Sequence, residues 1–270
     1  MMNRSIFNSL RKESFGQFFI LNFYKIIVIA ISVSCFGCGS KREGAKKELE
    51  RFGVEYSEKS FLYRLRSGDL ILTNLFLSAG MDPNVRFLQK YDSTTQGELN
   101  NPTPLMIAAR EGHTPVVKTL LQRGADVNAF ADNGQTALMY AARYAPVPLI
   151  ESLISNGANV NAKDADGKTA LTFAVLFDRI EIIKTLLDHG ADINSKDRFS
   201  FTALMQAAIK GKPSVLHVLL DRGADIHART AEGVTVLMLA AEYNRIEAVK
   251  VILENGAETK AQDRKGRSAL

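Results

Sequence analysis

Residues Thr169–Phe201 read TALTFAVLFDRIEIIKTLLDHGADINSKDRFSF, and this 33-residue stretch is one period of a repeat. Thr103, Thr136, Thr169, Thr202 and Thr235 open successive blocks at that spacing, and Ser268 opens a sixth that stops after three residues. Gly124, Gly157, Gly190, Gly223 and Gly256 each stand 12 residues before the next opener. A fixed period of this size implies stacked units, each burying its apolar face only against its neighbours. The fold class expected is an all-α repeat solenoid without one central core.

Within the block, Thr169 is placed as an N-cap whose side-chain oxygen takes an exposed backbone N–H, worth about 1 kcal/mol. Leu171, Ala174 and Val175 follow at helical spacing and are expected to point inward. The pairs Ala108-Ala109, Ala141-Ala142, Ala207-Ala208 and Ala240-Ala241 let neighbouring helices approach closely. Ile182, Ile183, Leu186 and Leu187 form the stripe of a second helix. Gly190 ends it, because the residue past a helix end often turns left-handed. Pro115, Pro146, Pro148 and Pro213 fall near the start of the second helix, where a missing N–H costs nothing.

Thr103-Pro104-Leu105, Leu120-Leu121 and Gly124-Ala125-Asp126-Val127-Asn128 carry a resemblance to ankyrin repeats. Five registers agree without a gap: 103–135, 136–168, 169–201, 202–234 and 235–267, followed by a truncated sixth start to 270. The resemblance implies a helix–turn–helix and a β-hairpin-like finger per repeat, with fingers and first helices lining a concave face. Three departures stand out. Met106, Met139, Thr172, Met205 and Met238 occupy a position where the family often has His, so apolar packing is expected to replace a polar contact. Ser200 stands at the finger-turn Gly, and Ala145 where Gly usually separates the helices. Residues 59–102 read as a degenerate first repeat with 11 residues inserted in its finger, and 39–58 as a linker or an N-terminal cap helix. At the other end, Leu239, Val249, Ile252 and Leu253 are expected to lack a complete cover.

The formal charge is +5, but residues 1–50 hold a net of +4. The basic balance therefore reports the N-terminal segment, and nucleic acid is not expected as a partner. Arg4, Arg11, Lys12 and Lys25 precede an uncharged run from Ile26 to Ser34, and Cys35 and Cys38 follow it. Nine residues are too few to span a bilayer and suit a signal-peptide core. Residues 1–38 resemble a bacterial lipoprotein signal, which implies lipidation of Cys38 or Cys35. Neither has the Leu that such signals prefer three residues upstream, so both stay candidates. The resemblance implies lipid anchoring to a membrane of the cell envelope, facing the periplasm or the surface. Alternatively, Phe18 to Phe36 reads as one signal anchor, or the segment is cleaved and the chain secreted. The repeats contain no cysteine, which rules out a disulfide framework there.

The residues point to no enzyme. His113, His189, His217 and His227 match no zinc spacing, and Asp126, Asp192 and Asp225 recur with the repeat as turn residues. No phosphate-cradling Gly motif or dinucleotide fingerprint is present. No cofactor, metal or small-molecule substrate is expected. Placed by the resemblance, Phe130, Asn133, Asp166, Arg198, Phe199 and Glu232 are finger residues and Tyr144, Phe177, Lys210 and Tyr243 are helix-end residues. Aromatic and Arg side chains are enriched in interface hot spots, so these ten are the candidate partner-binding residues. The function expected is a tethered protein–protein interaction scaffold. The stop at Leu270 supports a second reading, a truncated or vestigial repeat protein without a partner. An enzyme with an unrecognised site is the third.

Overall fold

The computed structural model describes residues 38–87 and 101–269. The signal-like segment with Cys35, and the greater part of the finger insertion, lie outside the described residues. The described chain forms two compact units, residues 38–64 with 69–82, and residues 65–68 with 83–87 and 101–269.

The first unit is built from α1 (Cys38–Arg51), most of α2 (Glu58–Ser67) and α3 (Leu70–Ser78). α1 packs on α3. Ala45 and Leu49, four residues apart on one face of α1, are buried. Phe76 is fully buried, with the rings of Phe61 and Tyr56 at 5.4 and 5.8 Å. The Asp69 carboxylate caps α3 by accepting from the Leu72 N–H at 3.0 Å. Among the described residues, no helix is long and apolar enough to cross a membrane.

The second unit is a stack of helix pairs: α4 (Pro104–Arg110) with α5 (Thr114–Gln122), α6 (Ala137–Tyr144) with α7 (Val147–Ser155), α8 (Ala170–Leu176) with α9 (Ile180–Asp188), α10 (Ala203–Lys210) with α11 (Pro213–Asp221), and α12 (Val236–Glu242) with α13 (Ile246–Glu254). Each first helix packs on its own second helix and on the first helix of the next pair, and second helices pack on second helices. The result is two layers, inner and outer. Small residues set the inner spacing: Ala108, Ala109, Ala141, Ala142, Ala174, Ala207, Ala208 and Ala240 have no exposed surface.

Every inner helix starts on its block-opening Thr. The Thr hydroxyl of residues 103, 136, 169, 202 and 235 accepts from the N–H three residues on, at 3.3–3.4 Å. Met106, Met139, Met205 and Met238 are buried at that third residue, as apolar packing there requires, and in three blocks the residue also accepts a hydrogen bond. The Thr103 N–H reaches Met106 Sδ at 3.4 Å, the Thr235 N–H reaches Met238 Sδ at 3.5 Å, and the Thr169 N–H reaches Thr172 Oγ1 at 3.3 Å. A thioether is a weak acceptor, and in these two blocks it closes the capping box.

The turn between inner and outer helices takes a left-handed residue at Gly112, Asp178, Gly211 and Asn244, with φ from 53° to 77°. Ala145 is the exception: it is extended, at φ −74° and ψ 159°. Pro146 follows it, and a residue before proline is driven to extended backbone. A Gly is therefore not needed there.

Two ladders tie each repeat to the next. In the first, an Asn side chain spans the following turn. Asn84 donates to Gly124 O and accepts from Asp126 N, Asn128 does the same with Gly157 and Asn159, and Asn161 with Gly190 and Asp192. Asn84, which belongs to the second unit, makes the same clamp as Asn128 and Asn161. In the second ladder, cationic side chains 33 residues apart reach the next finger: Lys163 to Lys196 O, Lys196 to Arg229 O and Arg229 to Gln262 O, at 2.9–3.2 Å. The fingers themselves are tight turns. Isolated antiparallel bridges form at Phe130–Thr136 and Arg229–Thr235, and no longer strand occurs among the described residues.

Candidate functional site

Four of the ten candidate residues fall in one register. Tyr144, Phe177, Lys210 and Tyr243 are 33 residues apart, and each sits at or just after the C-terminal end of an inner helix. All four are exposed, the three aromatics at 40–50% of their surface. The Tyr144 and Phe177 rings meet edge to face at 5.1 Å, a geometry worth about 1 kcal/mol beyond area burial. They therefore pack on each other across two repeats and still present surface.

The finger tips supply a second row, also at the repeat spacing: Asn133, Asp166, Phe199 and Glu232. Asn133 Nδ2 lies 3.4 Å from the Tyr140 hydroxyl, and its Oδ1 accepts from Gln135 N. Asp166 is paired with Arg198 at 2.9 Å and with Lys168 at 3.3 Å. The Arg198 guanidinium lies 4.6 Å from the Phe199 ring centroid, so the third finger offers a cation resting on an exposed aromatic. Glu232 is exposed, and its carbonyl accepts from the Arg264 N–H at 2.9 Å.

Phe130 stands apart from both rows. It lines an open cleft of about 540 Å³ with Asn128, Asn159, Ala162 and Lys163, among the residues that clamp one turn to the next. It is the most exposed of the candidate aromatics, at 63%.

Arg143 carries an arrangement that its own block does not announce. Its guanidinium lies 4.3 Å over the Phe173 ring, 5.4 Å from Tyr140 and 5.8 Å from Phe177. Its Nη2 donates to Gln135 Oε1 at 2.9 Å, and Gln135 donates on to Asp164 at 3.3 Å. Arg179 then donates to the carbonyls of Arg143 and Ala145 at 2.8 and 2.7 Å. A guanidinium stacked on rings and fixed at its edge is pre-organised. Residues from three consecutive blocks meet here, so spacing within one block gives no sign of it.

The recurring carboxylates serve turns. Asp126, Asp192 and Asp225 each accept from the N–H two residues on. Asp164 and Asp197 each accept two N–H groups inside a finger. Asp263, the same position in the last finger, is buried and accepts from Lys265 N, Arg267 N and Arg267 Nε at 2.7–2.9 Å. The Arg267 backbone N–H is the largest influence holding its carboxyl below the ordinary value; burial opposes it, and the Arg267 side chain and Lys265 N–H add to it. Among the described residues, no group of three or more His, Cys, Asp or Glu side chains gathers as a metal site.

Comparison with known protein families gives the same architecture. The family model described as "Ankyrin repeats (3 copies)" matches residues 66–164, 130–197 and 196–263. A search of curated proteins returns no match. The family match begins inside the degenerate first block, runs through the Thr-capped helix pairs and covers well over half of the residues: the chain belongs to the ankyrin-repeat family.

Proposed function

We propose that this chain is a protein–protein interaction scaffold that holds its partner with the inner-helix ends and finger tips of the second unit. Ankyrin repeats are in general protein-interaction modules. The observation that carries the assignment to this surface is the row Tyr144, Phe177, Lys210 and Tyr243, exposed and in register on consecutive rigid helices. Half-exposed aromatics supported from below lose little conformational freedom on binding, which favours affinity. The test is capture of partners by the full-length chain, with Tyr144→Ala and Phe199→Ala together. Both side chains are exposed, so helical content is expected to stay unchanged while capture drops. Capture equal to the unaltered chain rejects this surface.

The same proposal places the scaffold on a membrane of the cell envelope, tethered by lipid at Cys38 or Cys35. Its support is the basic lead, the short uncharged run and the cysteines directly after it. A lipoprotein carries more than one acyl chain, as stable anchoring requires. Labelled palmitate is expected to enter the full-length protein and to be lost when both cysteines become Ser. Labelling that survives the double change rejects the tether.

A further inference from the structure

The charge along the inner-helix row is uneven. Lys210 is exposed in the last turn of α10 and makes no ion pair or hydrogen bond among the described residues. The acids nearest in sequence to Phe177 already have partners: Asp178 is bound by Lys212 at 2.8 Å and Glu181 by Lys184 at 2.9 Å. Arg179 spends its donors on two carbonyl oxygens, which leaves its positive charge in place. The stretch from Phe177 to Lys210 is therefore apolar at one end and cationic at the other, while exposed Glu242 beside Tyr243 turns the far edge acidic.

Inner helices that pack side by side stand about 8–10 Å apart. A chain extended as a polyproline II helix advances about 3.1 Å per residue and returns its side chains to the same face every third residue, so one repeat step equals about three residues of such a peptide. We infer that the row takes an extended acidic segment of a partner protein, with an aromatic or aliphatic side chain against Tyr144 and Phe177 and an Asp or Glu three residues away on Lys210. This rests on the reading of the row as the binding surface and adds the chemistry of what binds. The apolar side chain covers the exposed ring faces, and the carboxylate meets an ammonium group that no group among the described residues neutralises.

The inference is tested by passing the full-length chain over immobilised ten-residue peptides in a Gly/Ser background, with residue type varied at two positions three apart. Retention is expected to be highest for a Phe, Tyr or Leu paired with an Asp or Glu. Replacing that Glu by Gln, or Lys210 by Ala, is expected to lower it up to about fivefold, the upper range for an exposed ion pair. Lys210→Glu is expected to turn the preference toward Lys and Arg peptides, and Tyr144→Ala to remove the apolar preference. A preference for acidic peptides that Lys210→Glu leaves unchanged overturns the inference, but spares the binding surface if Tyr144→Ala still lowers retention. Retention indifferent to both changes overturns the inference and the surface together. No retention of any peptide overturns the inference alone, because capture of a folded partner tests the surface separately. Equal retention of acidic peptides lacking an apolar residue reduces the site to bare charge attraction and also overturns it.

Discussion

At Gly134 an added Cβ would lie 2.7 Å from the backbone nitrogen of Ala165, in the next finger. That nitrogen donates to Asn133 O at 3.0 Å. At Gly157, also left-handed, an added Cβ meets nothing within 4 Å. Gly157→Ala is therefore expected to cost only the left-handed penalty, about 1–2 kcal/mol. Gly134→Ala adds the displaced hydrogen bond, about 1 kcal/mol more. Urea unfolding of the two variants checks the order. Ser200 holds the turn position of the third finger at φ 65° with its Cβ in place. Ser200→Gly is expected to raise stability by roughly 0.5 kcal/mol, the relieved strain less the freedom that Gly adds to the unfolded chain. Asp263 sets a pH dependence. Its folded value lies below its unfolded one, so its contribution is full above the unfolded carboxylate range and is lost as pH falls through the lower folded value. Asp263→Asn is expected to flatten that acid limb, read from melting temperature against pH. An unchanged limb would remove Asp263 from the account.

At the scale of elements, the fingers join by backbone hydrogen bonds in three places: Ala165 N to Asn133 O, Arg198 N to Asp166 O and Arg264 N to Glu232 O, at 2.9–3.0 Å. Between the third and fourth fingers, where Ser200 replaces Gly, no such bond occurs among the described residues. The Lys196 side chain, donating to Arg229 O at 3.2 Å, spans the junction. Hydrogen exchange is expected to show slow amides at Ala165, Arg198 and Arg264 and a fast one at Ala231; equal protection at all four would contradict the break. Much of the second unit is legible in the sequence, because each repeat spells its own start and stop: Thr caps the inner helix, and Gly at φ between 82° and 87° ends the outer helices. Side-chain chemistry across repeats is less legible. The period aligns Tyr144 with Phe177, but their ring contact depends on the stacking distance. Arg143 on Phe173 joins different positions of two blocks, and Phe130 faces a cleft among the turn clamps, which its place in the finger does not reveal. The methionine sulfurs that stand in as cap acceptors are hidden for another reason: their composition reads as apolar.

At the scale of the whole molecule, most of the net charge belongs to residues 1–50, while the remaining 220 residues carry a net of +1. On the proposed reading, recognition by the repeats rests on local placement of charge beside exposed rings rather than on a broad field. The second unit is suited to that task because its stability comes from neighbour-to-neighbour contacts. The inner-helix ends are then free to vary: Glu111, Tyr144, Phe177, Lys210 and Tyr243 occupy one structural position with three kinds of chemistry. The most direct measurement is site-specific photocrosslinking in the full-length chain, with the crosslinker at Tyr144, Phe177 or Phe199, and at Glu151 and Lys184 on outer helices as controls. Crosslinks to a common protein partner from the first three positions and not from the outer two are the predicted result. Crosslinking confined to the outer helices, or equal from both faces, would contradict the assignment of the binding surface.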